Sequence, residues 1–227
     1  MDVQPLTSEQ PARTRTHRLV GMAVAALTVV AGLAVVIVAR EHNEPFGFER
    51  AWMNTLVEHR SSFWTVVMLF LDGVGGGWIT VLLGGAAAGV LVVWRRPWAA
   101  VYLASSLVAC TALVHLVKLV VARPRPTHIL VVTDSASYPS GHSATAAVIA
   151  VALGLLFHRT WVWVAGGIYT VAMMFSRTYL GAHWISDTVA GALLGAAVAA
   201  IVFAVLATRL DAERARARPA LGPAAVQ

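Results

Sequence analysis

The stretch Ser176–Asp187, SRTYLGAHWISD, lies between two apolar runs, Trp161–Phe175 and Thr188–Ala207. It places an arginine, a histidine and an aspartate where leucine would cost nothing. Ionisable side chains at membrane depth are expensive and by default mark a functional site. The rest of the chain decides whether a membrane is there. It is 58% hydrophobic and only 12% charged, with a mean hydropathy of +0.72. Soluble domains are about a quarter charged, so lipid is the expected solvent.

The formal charge of +6 does not point to nucleic acid, because the basic residues flank apolar runs instead of forming one stripe. A single cysteine, Cys110, inside an apolar run excludes an intramolecular disulfide. The Ala- and Arg-rich composition fits a GC-rich bacterial coding sequence.

Apolar runs divide the chain. Residues 1–17 are polar, with Pro5, Pro11, Arg13 and Arg15, and read as a disordered tail. Leu19–Ala39 has about the 20 residues a spanning helix needs and reads as a retained helix, not a cleaved signal. Arg40–Arg60 is polar but carries Phe48, Trp52 and Leu56 at four-residue spacing, as a helix on the membrane surface would. Ser61–Asp72 is too short to span and ends in the glycine break GVGGG, which predicts a dip into one leaflet. Trp78–Trp94, Trp98–Val121, Ser143–Phe157, Trp161–Phe175 and Thr188–Ala207 complete six expected crossings in a domain over 18–208. Residues 209–227 read as a basic tail against the anionic inner leaflet. Tryptophans 78, 94, 98, 161, 163 and 184 stand at run ends like an interfacial belt. GAAAG (Gly85–Gly89) and GALLG (Gly191–Gly195) read as small-residue patterns that pack helices within the bundle.

Six crossings sort the cations. Ten fall on the side of the N-terminus and seven opposite, which by the positive-inside rule makes both termini cytoplasmic. Several of the seven have a different placement in common. Lys118 ends the third helix, with Arg123 and Arg125 just beyond. Ser140, Gly141 and His142 open the fourth. Arg177 ends the fifth, and His183 and Asp187 open the sixth. All fall at the outer ends of their helices.

This chemistry suits phosphate. Arginine and lysine match its anionic oxygens. PSGH runs a small-residue turn into a helix, whose free N–H groups favour an anion. His183 and Asp187, at i and i+4, share a helical face, so the carboxylate can orient the imidazole as a base or nucleophile. Taken singly, each feature has a bland reading. Lys118 or Arg177 would snorkel, His183 with Asp187 would be a structural pair, and Ser140 would be a helix cap. None of these explains the whole set at one depth.

KLVVARPRP (Lys118–Pro126), YPSGH (Tyr138–His142) and SRTYLGAHWISD together resemble the three-part signature of the type 2 phosphatidic acid phosphatase superfamily, which includes the vanadium haloperoxidases. Every specified position is filled in order. The resemblance implies an all-α membrane bundle with an acid phosphatase/vanadium haloperoxidase-like core, acting on a lipid phosphate or diphosphate. It implies that Lys118, Arg125 and Arg177 bind phosphate oxygens, helped by Ser140 and the Gly141 N–H. His183 would be the nucleophile, Asp187 its orienting partner and His142 the acid for the leaving group, with no metal or other cofactor. Arg123, off the family spacing, is expected to support the phosphate. Candidate substrates are phosphatidic acid, phosphatidylglycerophosphate and polyprenyl diphosphates. Rival readings are a vanadate-dependent peroxidase and a non-catalytic lipid binder or transporter. No nucleic-acid partner, and no obligate protein partner, is expected. His115 is expected to hydrogen-bond within the bundle, Asp72 to serve a turn, and His128 and Asp134 have no assigned role.

Overall fold

A computed structural model describes residues 9–133 and 136–217. Among these there are eight α-helices and no strand: α1 (Glu9–Val38), α2 (Gly47–Glu58), α3 (Ser62–Gly75), α4 (Gly77–Val93), α5 (Pro97–Val121), α6 (Gly141–Phe157), α7 (Thr160–Tyr179) and α8 (Ile185–Ala217). Asp134 lies outside the described residues.

Helices occupy all six expected runs. Thr14–Val38, Pro97–Val121 and Ile185–Arg216 are long and apolar enough to cross a bilayer alone. Ser62–Gly75 and Trp78–Val93 meet at a 55° bend and together make a broken span or a re-entrant pair. At 17 residues α6 is apolar but short. The outward surface is lipid-like, with Trp78, Val93, Val108 and Leu119 among many exposed apolar side chains. These features make the chain a multi-pass membrane protein.

At the centre α8 packs on α6, flanked by α1, α5 and α7. A Cβ on Gly191 or Gly195 would lie 2.3 Å from the Ser140 carbonyl oxygen or 2.0 Å from that of Ala144. GALLG therefore brings α8 onto the start of α6. GAAAG has no such role, since Gly85 and Gly89 have nothing within 4 Å.

Both expected tails are in part helical. Helix α1 takes in residues from 9 onward, and residues 1–8 lie outside the described residues. Helix α8 continues to Ala217, and one face of its last turns, at Leu210 and Glu213, is buried. Leu210 packs in the core with Leu91 and Phe203. The Glu213 carboxylate accepts the N–H groups of Trp98 (2.6 Å) and Ala99 (3.2 Å), capping α5.

Candidate active site

The three motifs meet in one cavity of about 400 Å³. Lys118 comes from the last turn of α5, Arg125 from the segment after it, Gly141 and His142 from the first turn of α6, Arg177 from the last turns of α7, and His183 from the link to α8. All six line the cavity. Thr80 and Val81 from α4, and Cys110, Thr111 and Val114 from α5, form a less polar wall. His115 also lines it, while its Nδ1 faces the Thr111 carbonyl at 2.8 Å within its own helix.

Lys118 and Arg125 are held by the backbone around them. Lys118 Nζ donates to the Ala136 carbonyl at 3.1 Å. Arg125 donates to the same carbonyl at 2.8 Å and to that of Ala182 at 2.5 Å. Its Nη1 lies 3.4 Å from His183 Nε2, the nitrogen aimed into the cavity. The link carrying His183 is shaped at Gly181, whose φ of +70° suits glycine and lets the His128 carbonyl approach. Arg60 fixes that contact from outside, donating to the His128 carbonyl at 2.9 Å and to that of Tyr179.

His183 is buried, and burial pulls its imidazole down to about 3. The Asp187 carboxylate opposes this shift, while Arg177 and Arg125 reinforce it. The ring is therefore neutral at ordinary pH. Its Nδ1 sits 3.8 Å from Asp187 Oδ2, just beyond hydrogen-bond distance.

Asp187 is fully buried and densely bonded. It accepts the Trp184 N–H at 2.9 Å, Arg123 Nη1 at 2.5 Å and the Ser137 hydroxyl. Here Arg123 departs from the expected supporting role toward phosphate. Its side chain is 0% exposed and lies outside the cavity lining. Its second amino group bonds Glu49 Oε2 at 2.7 Å, so one guanidinium bridges two buried carboxylates. Glu49 also accepts the Ser186 N–H (2.9 Å), the Ser186 hydroxyl (2.6 Å) and the Phe46 N–H (2.9 Å). It thereby ties the surface helix α2 to the start of α8. Ser140 is likewise placed as a helix cap. It is 0% exposed, its Oγ accepts from Ser143, and its N–H donates to the Asp187 carbonyl at 2.9 Å.

Asp72 is the residue that sequence reasoning missed. It does not serve a turn; it sits in α3 with Oδ1 paired to Arg177 Nη1 and 3.2 Å from His142 Nε2. The glycine break that follows is shaped to His142, since a Cβ on Gly76 would fall 2.0 Å from His142 Nε2. The only sequence signal was a carboxylate beside a glycine-rich break in an otherwise apolar stretch.

The fold and site define an all-helical, multi-pass membrane protein with a cation-lined cavity at one end of its bundle. The PAP2 superfamily matches it over residues 99–211. The decaprenylphosphoryl-5-phosphoribose phosphatase of Mycobacterium tuberculosis is 37% identical, over 63% of this chain and 77% of its own length. The undecaprenyl-diphosphatase of Sulfolobus acidocaldarius is 33% identical over 57% of this chain, which spans 64% of that relative's length. The crystal structure of the transmembrane PAP2-type phosphatidylglycerolphosphate phosphatase from Bacillus subtilis superposes with a TM-score of 0.73 at 25% identity, covering 82% of this chain and 96% of that one. The chain belongs to the PAP2 superfamily.

Proposed function

We propose that the chain is a lipid phosphate phosphatase that hydrolyses a phosphomonoester or diphosphate through a phosphohistidine. The observation that carries this reading is the convergence of Lys118, Arg125, Arg177, His142 and a neutral His183 on one cavity from separated segments. The three cations take the non-bridging oxygens, with the Gly141 N–H at the start of α6 as a further donor. His183 Nε2 attacks phosphorus while Nδ1–H turns to Asp187, closing a 3.8 Å gap that free enzymes commonly leave long. The bond to the leaving oxygen breaks, and that oxygen takes a proton from His142. Water, giving its proton back to His142, then attacks phosphorus and frees His183 and orthophosphate. The cations stabilise the transferring group's charge.

Six crossings, with both termini cytoplasmic and the cavity at the outer face, accord with the apolar runs and the distribution of arginines. A cavity at headgroup depth takes a headgroup while the tails stay in lipid. The named activities of the relatives, on undecaprenyl diphosphate and on a decaprenyl-linked phosphate, favour a polyprenyl carrier.

Phosphate release from a panel of lipid phosphates and diphosphates, by detergent-purified protein with EDTA present, tests this reading against His183→Ala. Release that survives EDTA and vanishes in the variant is expected. Release that persists in His183→Ala would discard the nucleophile. No release from any lipid by folded protein would favour a binder or transporter, and halide oxidation with vanadate would favour the peroxidase.

A further inference from the structure

Asp72 is a carboxylate inside a site that is otherwise built to hold anions. Its Oδ1 bridges Arg177 Nη1 and His142 Nε2, the donors assigned above to a phosphate oxygen and to the leaving group. One oxygen thus stands where a substrate oxygen must go. The Arg177 side chain is 3% exposed, whereas that of Asp72 is 24% exposed. The carboxylate can therefore leave for water and the guanidinium cannot. The chain after Asp72 permits that withdrawal. Asp72 stands in the last turn of α3, beside the 55° bend at which α3 and α4 meet.

Charge fixes what can displace it. Lys118, Arg125 and Arg177 give the cavity three positive charges, and Asp72 cancels one. A phosphate monoester or terminal diphosphate brings two negative charges in exchange for the carboxylate's one, so exchange gains Coulomb energy. A phosphodiester brings one charge for one and gains none. We propose, on the reading of the cavity as a phosphate site, that Asp72 is a resident anion that dianionic phosphates displace and phosphodiesters do not. At headgroup depth this excludes the bulk membrane phosphodiesters, which vastly outnumber any monoester.

The test is calorimetric binding of orthophosphate and of dimethyl phosphate in an uncharged detergent, at a pH where orthophosphate is a dianion. The wild type is compared with Asp72→Asn, and with Asp72→Ser should Asn not fold. Orthophosphate binds the wild type and dimethyl phosphate far more weakly. In the variant both dissociation constants fall, by roughly tenfold or more each, because neither ligand then has to displace a carboxylate, and dimethyl phosphate binding becomes measurable. Unchanged binding of both ligands, equal weakening of both, or no orthophosphate binding to either protein overturns the proposal. Equal weakening would make Asp72 a brace for Arg177. A structure of the wild type with orthophosphate, which needs no variant, must show Asp72 withdrawn from Arg177. Persistence of the pair beside bound phosphate also overturns it. Binding requires no turnover, so tighter binding by the variant in a protein that hydrolyses nothing would sink the proposed function and leave this inference standing.

Discussion

Arg123 and Arg125 stand two residues apart in one RPRP segment, and the structure gives them opposite duties that substitution can separate. Arg123→Met removes the cation between Glu49 and Asp187, whose side chains are 0% exposed, while filling most of the space. Breaking a buried pair by deleting one partner typically costs about 3–5 kcal/mol, because the remaining charge has neither water nor counter-ion. Two carboxylates are stranded here, so the upper part of that range applies. For a chain of this size each kcal/mol moves the melting temperature by roughly 2–4 °C, which gives a fall of about 8–20 °C. Arg125→Met removes donors to the Ala136 and Ala182 carbonyls but strands no charge, and Lys118 still donates to Ala136. Its cost is about 1–2 kcal/mol.

The assay is thermal unfolding in detergent, followed by tryptophan fluorescence, alongside orthophosphate binding at a temperature where both variants are folded. Arg123→Met is expected to melt early and still bind orthophosphate within a few-fold of wild type. Arg125→Met should melt near wild type and lose most of its affinity. Adding Glu49→Gln to Arg123→Met removes one stranded charge, so the double variant should be more stable than the sum of the single effects, by about 1–3 kcal/mol of coupling. A melting curve for Arg123→Met close to wild type, with orthophosphate affinity lost as in Arg125→Met, would refute the bridging role of Arg123 between Glu49 and Asp187. It would return Arg123 to the phosphate.

Gly76→Ala places a methyl group 2.0 Å from the present position of His142 Nε2, at the movable end of that side chain. Folding should survive while turnover falls by at least about tenfold through loss of leaving-group protonation. An unchanged turnover number would show that His142 has room to spare. The buried His183 titrates far below its ordinary value, so the unfolded chain binds one more proton than the native chain between about pH 6.5 and about 3. That contribution to stability is complete above the unfolded value and is lost as pH falls. His183→Gln should flatten the decline in melting temperature below about pH 6; an equally steep decline would mean that the imidazole is not held neutral.

The apolar runs and the motif residues were legible because both rest on local spacing. Span lengths follow from consecutive apolar residues, and the cations collect at one level once helices alternate direction. Helix α2 was legible on one face only. Phe48 and Trp52 form the outward stripe and stay exposed at 59% and 36%, whereas the inward stripe is Glu49, Met53 and Leu56. An inward stripe that begins with glutamate reads as polar until its counter-ion is known. That counter-ion, Arg123, lies 74 residues away. Asp72 was hidden for the same reason, since its partners Arg177 and His142 arrive from helices far along the chain. Carboxylates whose meaning depends on a distant cation leave no periodicity behind.

The RPRP segment illustrates the limit in the other direction, where spacing was read and still underdetermined the answer. A proline after each arginine holds both in extended or polyproline backbone. With three residues per polyproline turn, side chains two apart point about 120° from each other, so both cannot face one cavity. By this geometry, which the expectation of a phosphate-supporting Arg123 did not weigh, one arginine faces the ligand and its neighbour faces elsewhere. It does not say that elsewhere is a pair of buried carboxylates. The inward arginine leaves Asp187 beside the imidazole while supplying a cation that keeps its charge affordable at zero exposure. An orienting carboxylate is useful only while ionised, and burial alone would drive it to the neutral acid. The Glu49–Arg123–Asp187 bridge and the site are thus one electrostatic unit. In the proposed mechanism Arg125 serves the incoming phosphate, and Arg123 keeps Asp187 charged for the Nδ1 proton of His183.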